Sequence, residues 1–162
     1  MNTLTKNLSL TGVALAMCAF GTVAVAHAAT VEVEMKTRAS DGTVMAFDPA
    51  VVHIKPGDSV HFVAADIGHD VASIDNMMPA GTKPFVGTMS HDLTVKFDKA
   101  GLYAYECKPH YVMGMVGLVV VGKPTNETAV KKAIAQPTIP AMAKKRFAAL
   151  LDEVDSAKTA SH

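Results

Sequence analysis

From residue 30 to residue 121 the chain alternates short runs of β-branched or alternating apolar residues with turn signals, the rhythm of a small all-β sandwich. Strands are expected near 30–36, 43–47, 51–54, 59–65, 70–74, 92–97, 101–107 and 115–121. "KPGDSV" (55–60) and "DKAGLY" (98–103) place Pro or Gly where the chain must reverse, and each leads into an alternating strand such as "SVHFVA". "NMMPAGTKPFVGTMS" (76–90), with two prolines and two glycines, reads as a long irregular connection. After residue 124 the period changes. "TNETAVKKAIA" (125–135) and "AMAKKRFAALLDEV" (141–154) carry apolar residues at helical spacing, and the prolines of "QPTIP" forbid one continuous helix. The expected fold is therefore mainly β, a sandwich over residues 29–123 with a helical extension over 124–162 packed on one face. Asn126 is the N-cap of the first helix or, in the triplet Asn126-Glu127-Thr128, a glycosylation acceptor.

The first 28 residues stand apart. Lys6 is their only charged side chain, an apolar run extends from Leu8 to Ala26, and Ala26-His27-Ala28 precedes the polar start of the first strand. This is the pattern of a cleaved secretory signal, and it predicts an exported chain with no membrane segment after cleavage. The competing reading is an uncleaved anchor, because a run of about 19 apolar residues just spans a bilayer; Gly, Thr and Ser interrupt this one. A lipid-modified Cys18 is disfavoured by the bulky Met17 before it.

Removal of the leader takes Cys18 with it and leaves Cys107 as the one mature cysteine, in a compartment where thiols ordinarily pair. A lone exported thiol calls for a chemical reason. Charge adds little: 15 basic residues balance 15 acidic ones, which gives no support to a nucleic-acid partner.

The reason for the thiol lies in "YECKPHYVMGM" (105–115), which holds one Cys, one His and two Met. If 101–107 and 115–121 are strands, residues 108–114 form a loop at one end of a rigid scaffold, where the Cys107 sulfur, the His110 ring and a methionine sulfur can converge. Thiolate, imidazole and thioether together favour copper over magnesium, calcium or manganese. On spacing alone Met113 competes with Met115. A second imidazole is needed, and His69 is the best candidate, because "IGHDV" puts it where one strand passes to another, behind Gly68. His53 and His61 fall within strand alternations, and His91 has no companion ligand.

"GHDVASI", followed about 40 residues on by C-x-x-H-x-x-x-x-M, resembles the cupredoxins, and the resemblance runs through "MAFDPAVVHIKPGDSV", "PHYVMGM" and the two terminal helices, as in the pseudoazurin branch. It implies an eight-stranded Greek-key sandwich holding one copper ion through His69, Cys107, His110 and an axial Met115, cycling between cupric and cuprous forms. It further implies a monomeric, non-enzymatic single-electron carrier of the bacterial periplasm, often serving a copper nitrite reductase. An enzyme is disfavoured on chemical grounds too, since four protein ligands leave copper no open position for substrate. A copper storage or delivery protein is the alternative, and it would call for exposed Met-rich or His-rich tracts.

The chain also departs from the family pattern. Asp70 and Lys108 stand where the family usually has Asn and Thr beside the ligands; Asp70 is expected to accept a main-chain N–H from the second loop or to pair with the Lys108 side chain. Ile67 and Glu106 thin the family's ring of lysines, leaving Lys36, Arg38, Lys83 and Lys108 as a weaker basic rim. Pro109, Met113 and either Pro49 or Pro84 are expected to make the flat apolar surface around the exposed edge of His110.

Overall fold

A computed structural model describes residues 27–160; the expected secretory signal lies almost wholly outside them. Eight strands form two four-stranded sheets. They are β1 (Thr30–Arg38), β2 (Val44–Asp48), β3 (Val51–Ile54), β4 (Ser59–Val63), β5 (Ala72–Ser73), β6 (Leu93–Lys96), β7 (Gly101–Glu106) and β8 (Val116–Val121). One sheet has the order β2-β1-β4-β6, the other β3-β8-β7-β5. The pairs β1/β4 and β3/β8 are parallel and the rest antiparallel.

Alternation sets which faces meet. In β1, Val33 and Met35 are buried while Glu32 faces outward. With Phe47, Phe62, Phe97, Tyr103 and Tyr105 they fill the space between the sheets. β8, by contrast, is buried at all six positions, because its sheet is covered on both sides. The second cover is α1 (Glu127–Ile134) and α2 (Ala141–Ala160), whose Val130, Ile134, Phe147, Leu150 and Val154 pack on Leu102, Ala104, Leu118 and Val120. An ion-pair cluster of Glu127, Lys131, Asp155 and Lys158 links the two helices at the surface.

Three local expectations change. Residues 108–114 are not plain loop: Lys108–Met113 form a 3-10 helix. β5 shrinks to two residues because the chain before it is drawn off by main-chain bonds to the long connection, with the Ser90 N–H donating to the His69 carbonyl (2.7 Å) and the Gly87 N–H to that of Val71 (2.7 Å). Asn126 makes no side-chain cap. Its amide instead copies a strand partner, accepting the Leu102 N–H (2.8 Å) and donating to the Leu102 carbonyl (2.9 Å), which docks the start of α1 on β7.

Tyr105 sits at the centre of the first core, edge-on to Phe47 and Phe62 at centroid distances of 4.7 and 5.1 Å. It lies opposite Gly117 in the β7/β8 register, and a Cβ at Gly117 would fall 2.4 Å from its ring. Gly117→Ala should therefore destabilise the fold by about 1–3 kcal/mol through overpacking. The check is a lowered midpoint in urea unfolding at unchanged slope; an unchanged midpoint would show that Tyr105 has room to move.

Candidate metal centre

Three donors converge at one end of the sandwich. The Nδ1 atoms of His69 and His110 are 3.1 Å apart, and the Cys107 Sγ lies 3.8 and 3.4 Å from them. All three ligand atoms fall within 4.8 Å of one another, and among the described residues no other group of three or more His, Cys, Asp or Glu is so placed. His69 and Cys107 are buried and His110 is half-buried.

The local chain explains the placement. β7 ends at Glu106, Cys107 stays extended (φ −95°, ψ 112°), and Pro109 starts the 3-10 turn that swings His110 back over the sulfur. Gly114 closes the turn in the left-handed region (φ 82°), donating to the Tyr111 carbonyl. A side chain there would also collide with the main chain of Met142 at the start of α2, since an added Cβ would lie 2.9 Å from its carbonyl oxygen. The turn is laced shut at its base: the Cys107 N–H donates to the Met115 carbonyl (3.0 Å) and the Met115 N–H to the His110 carbonyl (3.2 Å). Met115 is thereby fixed beside Cys107 in the same core cluster, fully buried, whereas Met113 is 45% exposed.

His69 comes from the other side, on the connection between β4 and β5. The Gly68 N–H donates to the Ser90 hydroxyl (2.8 Å), and the His69 Nε2 meets the Thr37 hydroxyl (3.3 Å) at the end of β1. The two ligand-bearing segments are joined by the Asp70 carboxylate, which accepts the main-chain N–H of Lys108 at 2.7 Å. Of the two expectations for Asp70, the main-chain bond is the one formed, and its carboxylate makes no ion pair with the Lys108 ammonium among the described residues. Thr37 and Ser90 were not anticipated. A hydroxyl in a strand or a polar loop carries no spacing signal, and only the folded register brings these two to His69.

Electrostatics suit a cation. Burial pushes the Cys107 thiol up to about 11, against the opposing pull of the Asp70 and His110 main-chain N–H groups directed at the sulfur. Burial, and then the neighbouring His110, hold His69 below the ordinary histidine range, so its ring is neutral at neutral pH. Two imidazole nitrogens and a sulfur facing one another in a dry site form a soft donor set that fits copper, and a bound cation is what would convert the thiol to thiolate.

The remaining expected residues are scattered. His53 is exposed on β3, His91 is exposed with its Nδ1 bonded to the Met89 carbonyl (2.8 Å), and His61 lies between Glu32 and Asp92 on the outer face of β4. Pro109 and Lys108 are exposed in the turn that carries His110, and Lys83 is exposed on the long connection. Lys36 is not a free rim cation: Glu34 and Asp48 both pair with it. Arg38 is turned to the Gly42 carbonyl (2.9 Å). The apolar surface was underestimated, because Ile67 (88% exposed) and Val112 (67%) add to Met113.

Fold and donor set define a copper-binding protein, and residues 33–122 match the family model of copper binding proteins of the plastocyanin/azurin family. The chain is 42% identical to the pseudoazurin of Methylorubrum extorquens over 125 residues, covering 74% of this chain and 84% of the relative. It is 38% identical to that of Paracoccus pantotrophus over 148 residues, 91% and 97% of the two chains. The solved structure of a pseudoazurin from Sinorhizobium superposes with a TM-score of 0.74 at 41% identity, covering 79% of this chain and 98% of that one. The chain belongs to the plastocyanin/azurin family and, within it, to the pseudoazurins. It is an electron carrier with one copper ion and not an enzyme.

Two outcomes test this geometry. Between pH 7 and 9, below the thiol's value of about 11, copper has to displace the Cys107 proton, so affinity should rise about tenfold per pH unit in competition with a chelator. A flat profile would mean that the thiol is already ionised. Asp70→Ala leaves the Lys108 N–H without its charged acceptor and should cost about 1.5–3 kcal/mol, whereas Asp70→Asn, which keeps an acceptor oxygen, should lose much less. Denaturant unfolding of the two variants reads the difference.

Proposed function

We propose that the protein carries single electrons in the bacterial periplasm, with its copper held by His69, Cys107, His110 and an axial Met115, and that its acceptor is a copper nitrite reductase or another periplasmic redox enzyme. The observation that carries this reading is the convergence of His69, Cys107 and His110 on one buried point. The copper supplies one-electron exchange between cupric and cuprous states. The chain's part is to hold the donors still. A thiolate and two imidazoles fixed by a stiff sandwich suit both oxidation states, so little has to rearrange on transfer. The burial of Met115 beside Cys107, against the exposure of Met113, supports Met115 as the weak axial donor.

Export follows from the leader pattern of residues 1–28, and no helix among the described residues is long and apolar enough to cross a membrane. The half-buried His110 supports its ring edge as the electron's exit, within an apolar surface of Pro109, Val112 and Met113. A shuttle must dock briefly, which favours a small contact of this kind. Arg38, Lys83 and Lys108 are the exposed rim cations that remain to steer the encounter, since Lys36 is neutralised by its two carboxylates.

Cys107→Ser should abolish the intense visible band of the oxidised protein. Met115→Leu should raise the midpoint potential by removing axial donation, and Met115→Gln should lower it through a harder oxygen donor. Visible spectroscopy and redox titration read both; a coloured Cys107→Ser protein would end the assignment, and a potential moved by Met113 variants alone would exchange the methionines.

Docking is read by stopped-flow transfer to an acidic copper nitrite reductase across a salt series. Salt screens charges over about 8–10 Å near physiological strength. With Lys36 paired, the second-order rate should fall only shallowly with salt compared with a lysine-ringed pseudoazurin. An equally steep fall would show that the rim keeps its full positive field.

A further inference from the structure

His69 presents Nδ1 to Cys107 and His110, so as a copper ligand it must carry its proton on Nε2. That nitrogen points away from the donor cluster, into a region where His69 is only 1% exposed. The hydrogen-bond partner found for it is the Thr37 hydroxyl, at 3.3 Å. Thr37 is itself pinned: its main-chain N–H donates to the Asp66 carboxylate at 2.7 Å, and the Asp66 N–H donates back to the Met35 carbonyl at 3.1 Å. Asp66 stands three residues before His69 on the same connection. The end of β1 and the His69 segment are thus stitched three times, through the Asp66 carboxylate, the Asp66 main-chain N–H and the His69 ring.

Resting on the proposed role of His69 as a copper ligand, we infer that Thr37 is a positioning residue whose hydroxyl accepts the Nε2 proton of His69, and that Asp66 holds Thr37 in place to do so. The ring of a metal-bound histidine is oriented, and its tautomer chosen, by the acceptor of its other N–H. Here that acceptor is a side chain, which a substitution can delete without touching the backbone. The Asp66 carboxylate also sits on the main-chain N–H of the residue whose hydroxyl meets the ring, a negative charge that favours the more positive cupric state.

Thr37→Val keeps the shape and removes the acceptor; Thr37→Ser keeps the hydroxyl. In the copper-free protein, long-range nitrogen–proton correlation spectra should show His69 protonated on Nε2 in the wild type and in Thr37→Ser, with the Nδ1-protonated form appearing in Thr37→Val. In the loaded protein, Thr37→Val should lose copper to a chelator about 10–100-fold more readily, and Asp66→Asn should shift the midpoint potential upward. Wild-type copper retention and tautomer in Thr37→Val would overturn the inference. So would equal losses in the Val and Ser variants, which would assign the effect to packing. If Thr37→Val does not fold, the wild-type tautomer decides alone: an Nδ1-protonated His69 overturns the inference. His69→Gly separates this from the ligand assignment, because a variant that retained full colour would remove His69 as a ligand whatever Thr37 does.

Discussion

The copper end depends on one bond between two loops that are far apart in sequence, the Lys108 N–H donating to the Asp70 carboxylate at 2.7 Å. Asp70 follows His69 and Lys108 follows Cys107, so the bond fixes the separation of the buried imidazole from the sulfur to within the play of one short contact. Without a cation, the two Nδ1 atoms and the sulfur gain little by facing one another, and the donor cluster does not hold itself together. The scaffold must hold it. A buried charge-assisted bond is suited to that task because its alternative, a carboxylate only 7% exposed and left without its donor, is costly.

The rest of the fold can be understood as support for that separation. The Cys107, His110 and Met115 main chains are laced to one another, and β7 and β8 pair directly beneath them. Tyr105, two residues below Cys107, is wedged among Phe47, Phe62 and the bare surface of Gly117. On the outer side, the start of α2 lies against Gly114 so closely that no side chain fits between them. The ligand turn is therefore braced from within by the aromatic core and from outside by the terminal helix. That is a physical reason for a carrier of this size to keep a helical extension that donates nothing to the metal cluster.

How much of this could be seen beforehand depended on the kind of signal. Strand positions from β1 to β4 and from β6 to β8 follow from alternation and turn residues, and were legible to within about two residues; the helices follow from a change of period, although α2 runs to Ala160, six residues past the expected segment 141–154. Cys107, His110 and Met115 were legible as a group because they sit within nine residues of one another. His69 was recoverable by elimination among the histidines. The braces were not: Thr37 meets the His69 ring through its hydroxyl across 32 residues, and Ser90, across the long connection, donates its main-chain N–H to the His69 carbonyl while its hydroxyl accepts the Gly68 N–H, and neither residue type means anything out of register. Asn126 misled for a related reason, since its local signal is that of a cap, while tertiary pairing with Leu102 claimed the same amide. Of the ion pairs on Lys36, that with Glu34 is local to β1, whereas that with Asp48 was hidden because it forms only through the β1/β2 register.

That last point bears on how such a carrier chooses its partners. Counting lysines near the metal end treats each as a charge available to an incoming protein, but a lysine held between Glu34 and Asp48 belongs to a cluster of one ammonium and two carboxylates, whose net charge is negative. Glu106, half-buried next to Cys107, adds charge of the opposite sign; burial first, and then Asp70 and Asp75, raise it above the ordinary carboxylate range, with Lys108 opposing them. Beside the charges that remain, Ile67, Val112 and Met113 expose apolar surface. Recognition through such a surface rewards shape and desolvation close to contact and contributes little at long range. If this surface is the docking face proposed above, the carrier gives up encounter rate with any single strongly charged partner, and in exchange it loses less when ionic strength or the identity of the partner changes.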